Sequence, residues 1–315
     1  MWAYIISRLL SFIPTVFISV TIVFIFTRLL PGNPVWALVG DQSVSAEKID
    51  EVVKMMGYDR PIFIQYLEWL PKILSGDLGN SVFYKEPVLD VILNRVPITF
   101  NLAMLSLLVT VIVGIPLGIT AAVHQNTWMD NFCVAITNIW ISLPSFWLGF
   151  LFIILFSVNL GWLPSSGYRE LSFGFEDWIK RLILPVLSMS LAHIALLVRV
   201  TRSSMIEVLN NEYVVTARAK GLSNYKVIYK HALRNALVSI LTVVGLIFAL
   251  NLGGSIIIEN IYALPGLGQL VATAALRRDY AIIEGGMLYF IVVALFVNLF
   301  IDISYSFFNP RIRFD

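Results

Sequence analysis

The stretch ITFNLAMLSLLVTVIVGIPLGITAAV, residues Ile98–Val123, runs for 26 residues without a charged side chain. A helix rises about 1.5 Å per residue, so this one outreaches a hydrocarbon core about 30 Å thick. It is apolar on every side and leaves no face for water. In lipid each backbone N–H and C=O must be paired within the structure, which leaves helices or closed barrels. The in-out alternation of a barrel strand is absent, so the block reads as a membrane-spanning helix. The same pattern recurs on both sides of it, at Leu9–Leu30, Asn131–Leu160, Leu182–Val198, Asn235–Ile258 and Gly285–Ile301. The shorter blocks gain length from Val200, and from Ile282–Ile283 and Ile303–Phe308. Overall 58% of the chain is hydrophobic and 13% charged, against about 25% charged in soluble domains. The sequence therefore predicts an all-α polytopic membrane protein with six transmembrane helices. The first block is longer than a signal-peptide core and no small-residue cleavage site follows it, so it reads as a retained span.

Charge placement predicts the orientation. The segment Arg199–Arg234 carries seven basic residues: Arg199, Arg202, Arg218, Lys220, Lys226, Lys230 and Arg234. Arg8 precedes the first span, and Arg311 and Arg313 follow the last. The short loops of the other side hold Arg169, Lys180, Arg181, Arg277 and Arg278. Basic residues stay on the cytoplasmic side, which puts the basic loop and both termini there. The layout is then an N-terminal helix (1–30), an external subdomain (31–97), a core (98–308) enclosing the basic loop (199–234), and a tail (309–315). Pro14, Pro116, Pro144 and Pro185 lie inside spans and are expected to give packing irregularities rather than hinges.

The external segment is too long for a plain connection. Ser45 is placed to cap a helix whose apolar stripe is Ile49, Val52, Val53 and Met56, ended by Gly57. A second amphipathic stretch begins after Pro61, with Ile62, Leu67, Trp69, Leu70, Ile73 and Leu74. It suits packing on the spans, rest on the membrane surface, or contact with a partner.

The basic loop has sharper punctuation. Asn211 is a candidate N-cap, and Glu212 complements the positive helix end. Arg218 and Lys220 complement the negative end. Gly221 is placed to turn left-handed, with Leu222 as its apolar partner and Ser223 opening the next helix. The prediction is a short helix, a glycine turn, and a helix into the fifth span. Ala217 and Ala219 keep the short helix slim enough for a groove on another protein. A solvated loop that merely obeys the charge rule is the plainer alternative.

Catalytic chemistry is not written here. No Gly-x-x-x-x-Gly-Lys-Ser/Thr cradle for phosphates occurs. His124, His193 and His231 lack zinc-site spacing, and Cys133 is the only cysteine. Serines such as Ser165 have no His/Asp company. Pro265-Gly266-Leu267-Gly268, after Glu259, forces a turn that is either an ordinary tight loop or one that re-enters the pathway as an outer gate, and Glu284 puts a carboxyl near the membrane edge. Arg28, Glu284 and Asp302 sit near span ends, where snorkelling accounts for them.

Several segments jointly resemble a known family. Thr216-Ala-Arg-Ala-Lys-Gly-Leu222 is similar to the coupling loop of binding-protein-dependent ABC importer permeases, closest to the dipeptide/oligopeptide/nickel branch. Arg95-Val-Pro-Ile-Thr-Phe100, Gly114-Ile-Pro-Leu-Gly118, Leu143-Pro-Ser-Phe-Trp-Leu-Gly149 and the run Gly253–Gly268 resemble the same branch, as does Asn309-Pro-Arg-Ile-Arg313. Leu30-Pro-Gly-Asn-Pro34 and Gly76-Asp-Leu-Gly79 resemble the first of its two permease subunits. The likeness implies a five-helix core plus one N-terminal helix, in a bacterial or archaeal plasma membrane. It implies a homologous second permease as heterodimer partner, two ATPase subunits that hold ATP and Mg, and an external substrate-binding protein. Membrane lipid is a partner and nucleic acid is not. Short peptides are the expected cargo, with nickel chelates, glutathione or haem-like ligands as alternatives, and a stand-alone secondary transporter as the rival of another class. Coupling would rest on Thr216, Ala217, Arg218, Ala219, Lys220, Gly221 and Leu222. The wider superfamily begins this motif Glu-Ala-Ala where this chain has Val215-Thr216-Ala217, which shifts the expected contact toward Ala217, Arg218, Ala219 and Gly221.

Overall fold

A bend at Leu143–Pro144 divides what the hydropathy pattern writes as one span. The residue before a proline is pushed out of the helical region, and Leu143 is extended (φ −95°, ψ 122°). Helix α4 (Trp128–Ser142) ends there, and α5 (Ser145–Phe152) leaves at 94°. A π-helical turn, Ile153–Asn159, prolongs α5. The expected span Asn131–Leu160 is thus a sharply broken pair. Pro14 and Pro185, by contrast, sit inside continuous helices.

The computed structural model describes residues 2–29, 53–54 and 57–308, and the side chains of those between Leu10 and Ile301. The other helices are α1 (Trp2–Leu29), α2 (Ile62–Leu74), α3 (Val88–Val123), α6 (Phe175–Leu209), α7 (Glu212–Ala219), α8 (Leu233–Ile261), α9 (Leu267–Arg277) and α10 (Tyr280–Phe308). Helices α1, α3, α6, α8 and α10 are long and apolar enough to cross a membrane, and the bent pair makes a sixth crossing if it counts as one span. The helix expected from Ser45 lies mostly outside the described residues, as do the Leu30–Pro34 and Asn309–Arg313 motifs. Its end is visible: Gly57 takes φ 72° and Tyr58 N–H bonds to Val53 O at 3.1 Å.

The chain forms two compact units. The first contains residues 100–264 and the end of α10. Its axis is α6, against which α4, α5 and α8 pack. Gly114 and Gly118 lie one turn apart on α3 and let it approach α6 closely. A Cβ at Gly114 would stand 3.1 Å from Leu197, and one at Gly118 2.5 Å from the Thr201 Cβ. This is the small-xxx-small packing of membrane helices. Polar ties reinforce it. Asp130 accepts two bonds from Arg202, at 2.6 and 2.7 Å. Asn251 Nδ2 donates to Ala103 O at 3.2 Å, and the buried Tyr262 hydroxyl donates to Gly149 O at 3.1 Å.

The second unit contains residues 9–99 and 265–293. Val88, Val91 and Ile92 at the start of α3 pack with Leu267, Leu270 and Val271 of α9 and Ile282 and Ile283 of α10. Gly285 makes that approach possible, since a Cβ there would stand 2.8 Å from Val88 and Ile92. Helix α2 packs on α1 through Trp69, Leu70 and Ile73 against Val20 and Val23.

Candidate functional site

The basic loop folds as its punctuation predicts, with two changes. Helix α6 stops at Leu209, and Asn211 takes extended N-cap geometry (φ −73°, ψ 145°). Its side chain makes no capping bond. The backbone serves instead, with Asn211 O accepting from Val214 N–H at 3.0 Å and Val215 N–H at 3.3 Å. At the other end Gly221 is left-handed (φ 76°). Gly221 N–H donates to Arg218 O at 2.9 Å and Leu222 N–H to Ala217 O at 3.4 Å. These are the two crossed bonds of a Schellman stop. Ser223 O then accepts from Val227 N–H at 3.0 Å as the next helix opens. That helix begins with a π-helical stretch, Lys226–Ala232, before α8.

Burial sorts the residues of α7 into two faces. Val214 and Ala217 are buried in a core shared with Met205, Val208, Val227 and Ala232. Ala217 therefore anchors the helix to its own unit, which corrects the expectation that it meets a partner. The outward face holds Val215, Thr216, Arg218 and Ala219, followed by Lys220, Gly221 and Leu222. Val215 is a large apolar side chain 58% exposed among the described residues. Leu222, beyond the turn, is exposed too. Tyr213 ties the loop down from the side, its hydroxyl accepting from Asn235 Nδ2 at 2.7 Å. Tyr225 and Tyr229 stack beside it, centroids 4.7 Å apart.

The residues expected at an outer gate fall in both units. Glu259 is buried on α8 in the first unit. Pro265, Gly266, Leu267 and Gly268 belong to the second. There the glycine turn is the entry to α9, an element the sequence reading missed. Gly266 is its N-cap residue, Leu267 N–H donates to Thr99 Oγ1 at 2.8 Å, and Arg95 Nη1 donates to Pro265 O at 3.2 Å. The signal was present in Leu267, Leu270, Val271 and Ala274, spaced i, i+3, i+4, i+7.

Glu284 is not an open carboxyl at the membrane edge. Its Oε1 accepts from Arg28 Nη1 at 2.6 Å and from Thr27 Oγ1 at 2.9 Å. Its Oε2 accepts from Trp69 Nε1 at 2.8 Å. Arg28 does not snorkel either: Nε donates to Gln65 Oε1 at 3.0 Å, and the guanidinium lies over Phe24 and Tyr58. Burial pushes the Tyr58 hydroxyl up to about 12, so it stays neutral beside this pair. The cluster joins α1, α2 and α10 and is a structural clasp. The Asp302 side chain lies outside the described ones. Among the described residues no group of His, Cys, Asp or Glu has the geometry to hold a metal.

Comparison with known proteins gives a consistent result. Residues 114–314 match the family described as binding-protein-dependent transport system inner membrane component. Residues 1–103 match the N-terminal family of the same membrane components. A protein of Brucella abortus (strain 2308) named for a peptide transport system permease is 42% identical over 315 residues, the full length of both chains. The glutathione transport system permease protein GsiC of Escherichia coli (strain K12) is 40% identical over 311 residues, 99% of each chain. Among solved structures, a chain of the inward-facing MetNI methionine ABC transporter aligns with TM-score 0.59 and 16% identity. It covers 70% of this chain and 96% of that one, a likeness of fold.

Proposed function

We propose a function from one premise: this chain belongs to the family of binding-protein-dependent transport system inner membrane components. It is a permease component of an ABC importer, multi-spanning in the inner membrane. From there the reading is ours. Two permease halves, this chain and a homologous second one, enclose the pathway. Two ATPase subunits dock on the cytoplasmic side and bind ATP and Mg there. An external binding protein delivers the cargo.

Short peptides are the cargo class we favour. Relatives matched along nearly their whole length are named for peptide and for glutathione transport, and glutathione is itself a modified tripeptide. Nickel chelates and haem-like ligands are the alternatives.

One observation carries the coupling role: α7 is a short helix with a closed stop, moored by Val214 and Ala217, whose other face is bare. Docked in an ATPase groove, α7 passes a push or pull into α6 and α8, because its buried side chains share their core. Arg218 and Lys220 sit at the rim of that contact. Vesicles holding this chain with a co-expressed second permease, ATPases and binding protein should take up labelled di- and tripeptides only when ATP is supplied. Uptake by this chain alone, driven by an ion gradient without ATP, would overturn the reading.

A further inference from the structure

We infer that α2 is not an external helix but a re-entrant one, dipping into the leaflet at the Arg28 end of α1 with one face against lipid acyl chains. The order of its contacts on α1 supports this. Tyr58 and Gln65 meet Arg28. Tyr66 and Trp69 meet Phe24, and the Tyr66 hydroxyl reaches Thr21 Oγ1 at 2.7 Å. Leu70 and Ile73 pack against the buried Val20, Val23 and Leu288. As numbers rise along α2 they fall along α1, so the two run antiparallel. At about 1.5 Å per residue, Thr21 lies about 10 Å and Val20 about 12 Å from the Arg28 level. The apolar span of α1 is Leu10–Leu29. In a core about 30 Å thick, the far end of α2 then lies within the outer leaflet, short of the middle.

The side chains of α2 sort into three stripes, one for each neighbour that such a position would give it. Tyr66, Trp69, Leu70 and Ile73 face protein. Glu68, Lys72 and Ser75 form a polar edge, and Glu68 pairs with Arg60. Between them on the other flank, Phe63, Leu67 and Leu74 are 70%, 53% and 71% exposed. On a wholly aqueous helix that apolar stripe would be a liability. Against acyl chains it is favourable, while the polar edge keeps water. The end of the helix is also sealed for a dry place. Asp77 N–H donates to Lys72 O at 2.9 Å, Gly76 N–H to Ile73 O at 3.0 Å, and Ser75 Oγ to Lys72 O at 2.8 Å. Carbonyls left bare there would be costly in hydrocarbon.

The test uses the full chain in vesicles of phosphatidylethanolamine and phosphatidylglycerol. In a Cys133→Ser background, Phe63→Cys, Leu67→Cys, Leu74→Cys and Glu68→Cys each carry an environment-sensitive fluorophore. Labels at 63, 67 and 74 should emit to the blue and lose intensity with acyl-chain nitroxide lipids, not with a water-soluble nitroxide. The label at 68 should show the reverse. Quenching from water at all four positions overturns the proposal by putting α2 outside the bilayer. Protection of 63, 67 and 74 from both quenchers overturns it too, because protein then covers the stripe. The unsubstituted chain provides a check free of folding effects. A photoactivated apolar lipid probe should label the peptide containing 62–74, and label confined to the long spans would count against lipid contact.

Discussion

At the scale of single residues, Gly221 shows what a sequence can disclose. A glycine after a short run with charged ends has one conformational use there, the left-handed stop, and φ is 76°. A β-branched side chain in that region costs about 1–2 kcal/mol. Gly221→Val should therefore leave the spans folded but loosen the two crossed bonds. In the reconstituted importer, ATP hydrolysis should persist while uptake falls. Tight coupling retained in Gly221→Val would remove α7 from the coupling role. Ala217 was less legible. Its neighbours in sequence do not say which side of an eight-residue helix faces home, and that is decided by Met205, Val208 and Val227. Glu284 was less legible still, because its partner Arg28 stands 256 positions away. Removing one member of a buried pair costs about 3–5 kcal/mol, whereas an apolar replacement of both is often neutral. Glu284→Leu should thus lower the thermal midpoint in detergent sharply, and Arg28→Met with Glu284→Leu should recover most of it. A double variant no better than the single one would show that Trp69 and Thr27, not the ion pair, hold the clasp.

At the scale of elements, the long helices were readable because lipid imposes a length and forbids charge. What was not readable is how they bend and meet. Four prolines lie inside the apolar blocks, and only Pro144 is accompanied by a right-angled break (94°). The difference lies in the preceding residue: Leu143 is extended, whereas Pro14 and Pro185 are accommodated within their helices. Helix α9 escaped notice because its Pro-Gly entry reads as a loop and its apolar stripe is shorter than a span. The run Gly114-Ile-Pro-Leu-Gly118 was visible as a motif, but its purpose depends on Leu197 and Thr201 of α6. Gly118→Val should force α3 away from α6, since its Cβ alone would come within 2.5 Å of the Thr201 Cβ. Overpacking of this kind costs about 1–3 kcal/mol. Thermal unfolding followed by tryptophan fluorescence should show the loss. Gly118→Val with Thr201→Gly should restore part of it, because the closest clash is with the Thr201 Cβ, which an alanine would keep. A fully stable Gly118→Val would mean that the two helices have room to spare.

At the scale of the molecule, the bent pair α4–α5 controls the topology. If it crosses the membrane, the chain makes six crossings and both termini lie on one side. If it turns back, there are five crossings and the termini are opposed. Charge distinguishes the two. With five crossings and the N-terminus inside, Arg8 would remain cytoplasmic. The loop with Arg218, Lys220, Lys226, Lys230 and Arg234 would then face outward, and the short loops with Arg169 and Arg277 inward. That inverts the rule that keeps short basic loops in the cytoplasm. With six crossings the strongly basic loop and Arg8 lie inside, and only the less basic short loops face outward. Charge placement therefore predicts that the break at Pro144 lies within a crossing rather than at a hairpin tip. A fluorescent protein that matures only in the cytoplasm should light up when fused to either terminus, or inserted after Asn210. A phosphatase active only outside should work when inserted near Ser172, between the bent pair and α6. Phosphatase activity at the C-terminus would mean five crossings, and it would also take α7 out of reach of any cytoplasmic ATPase.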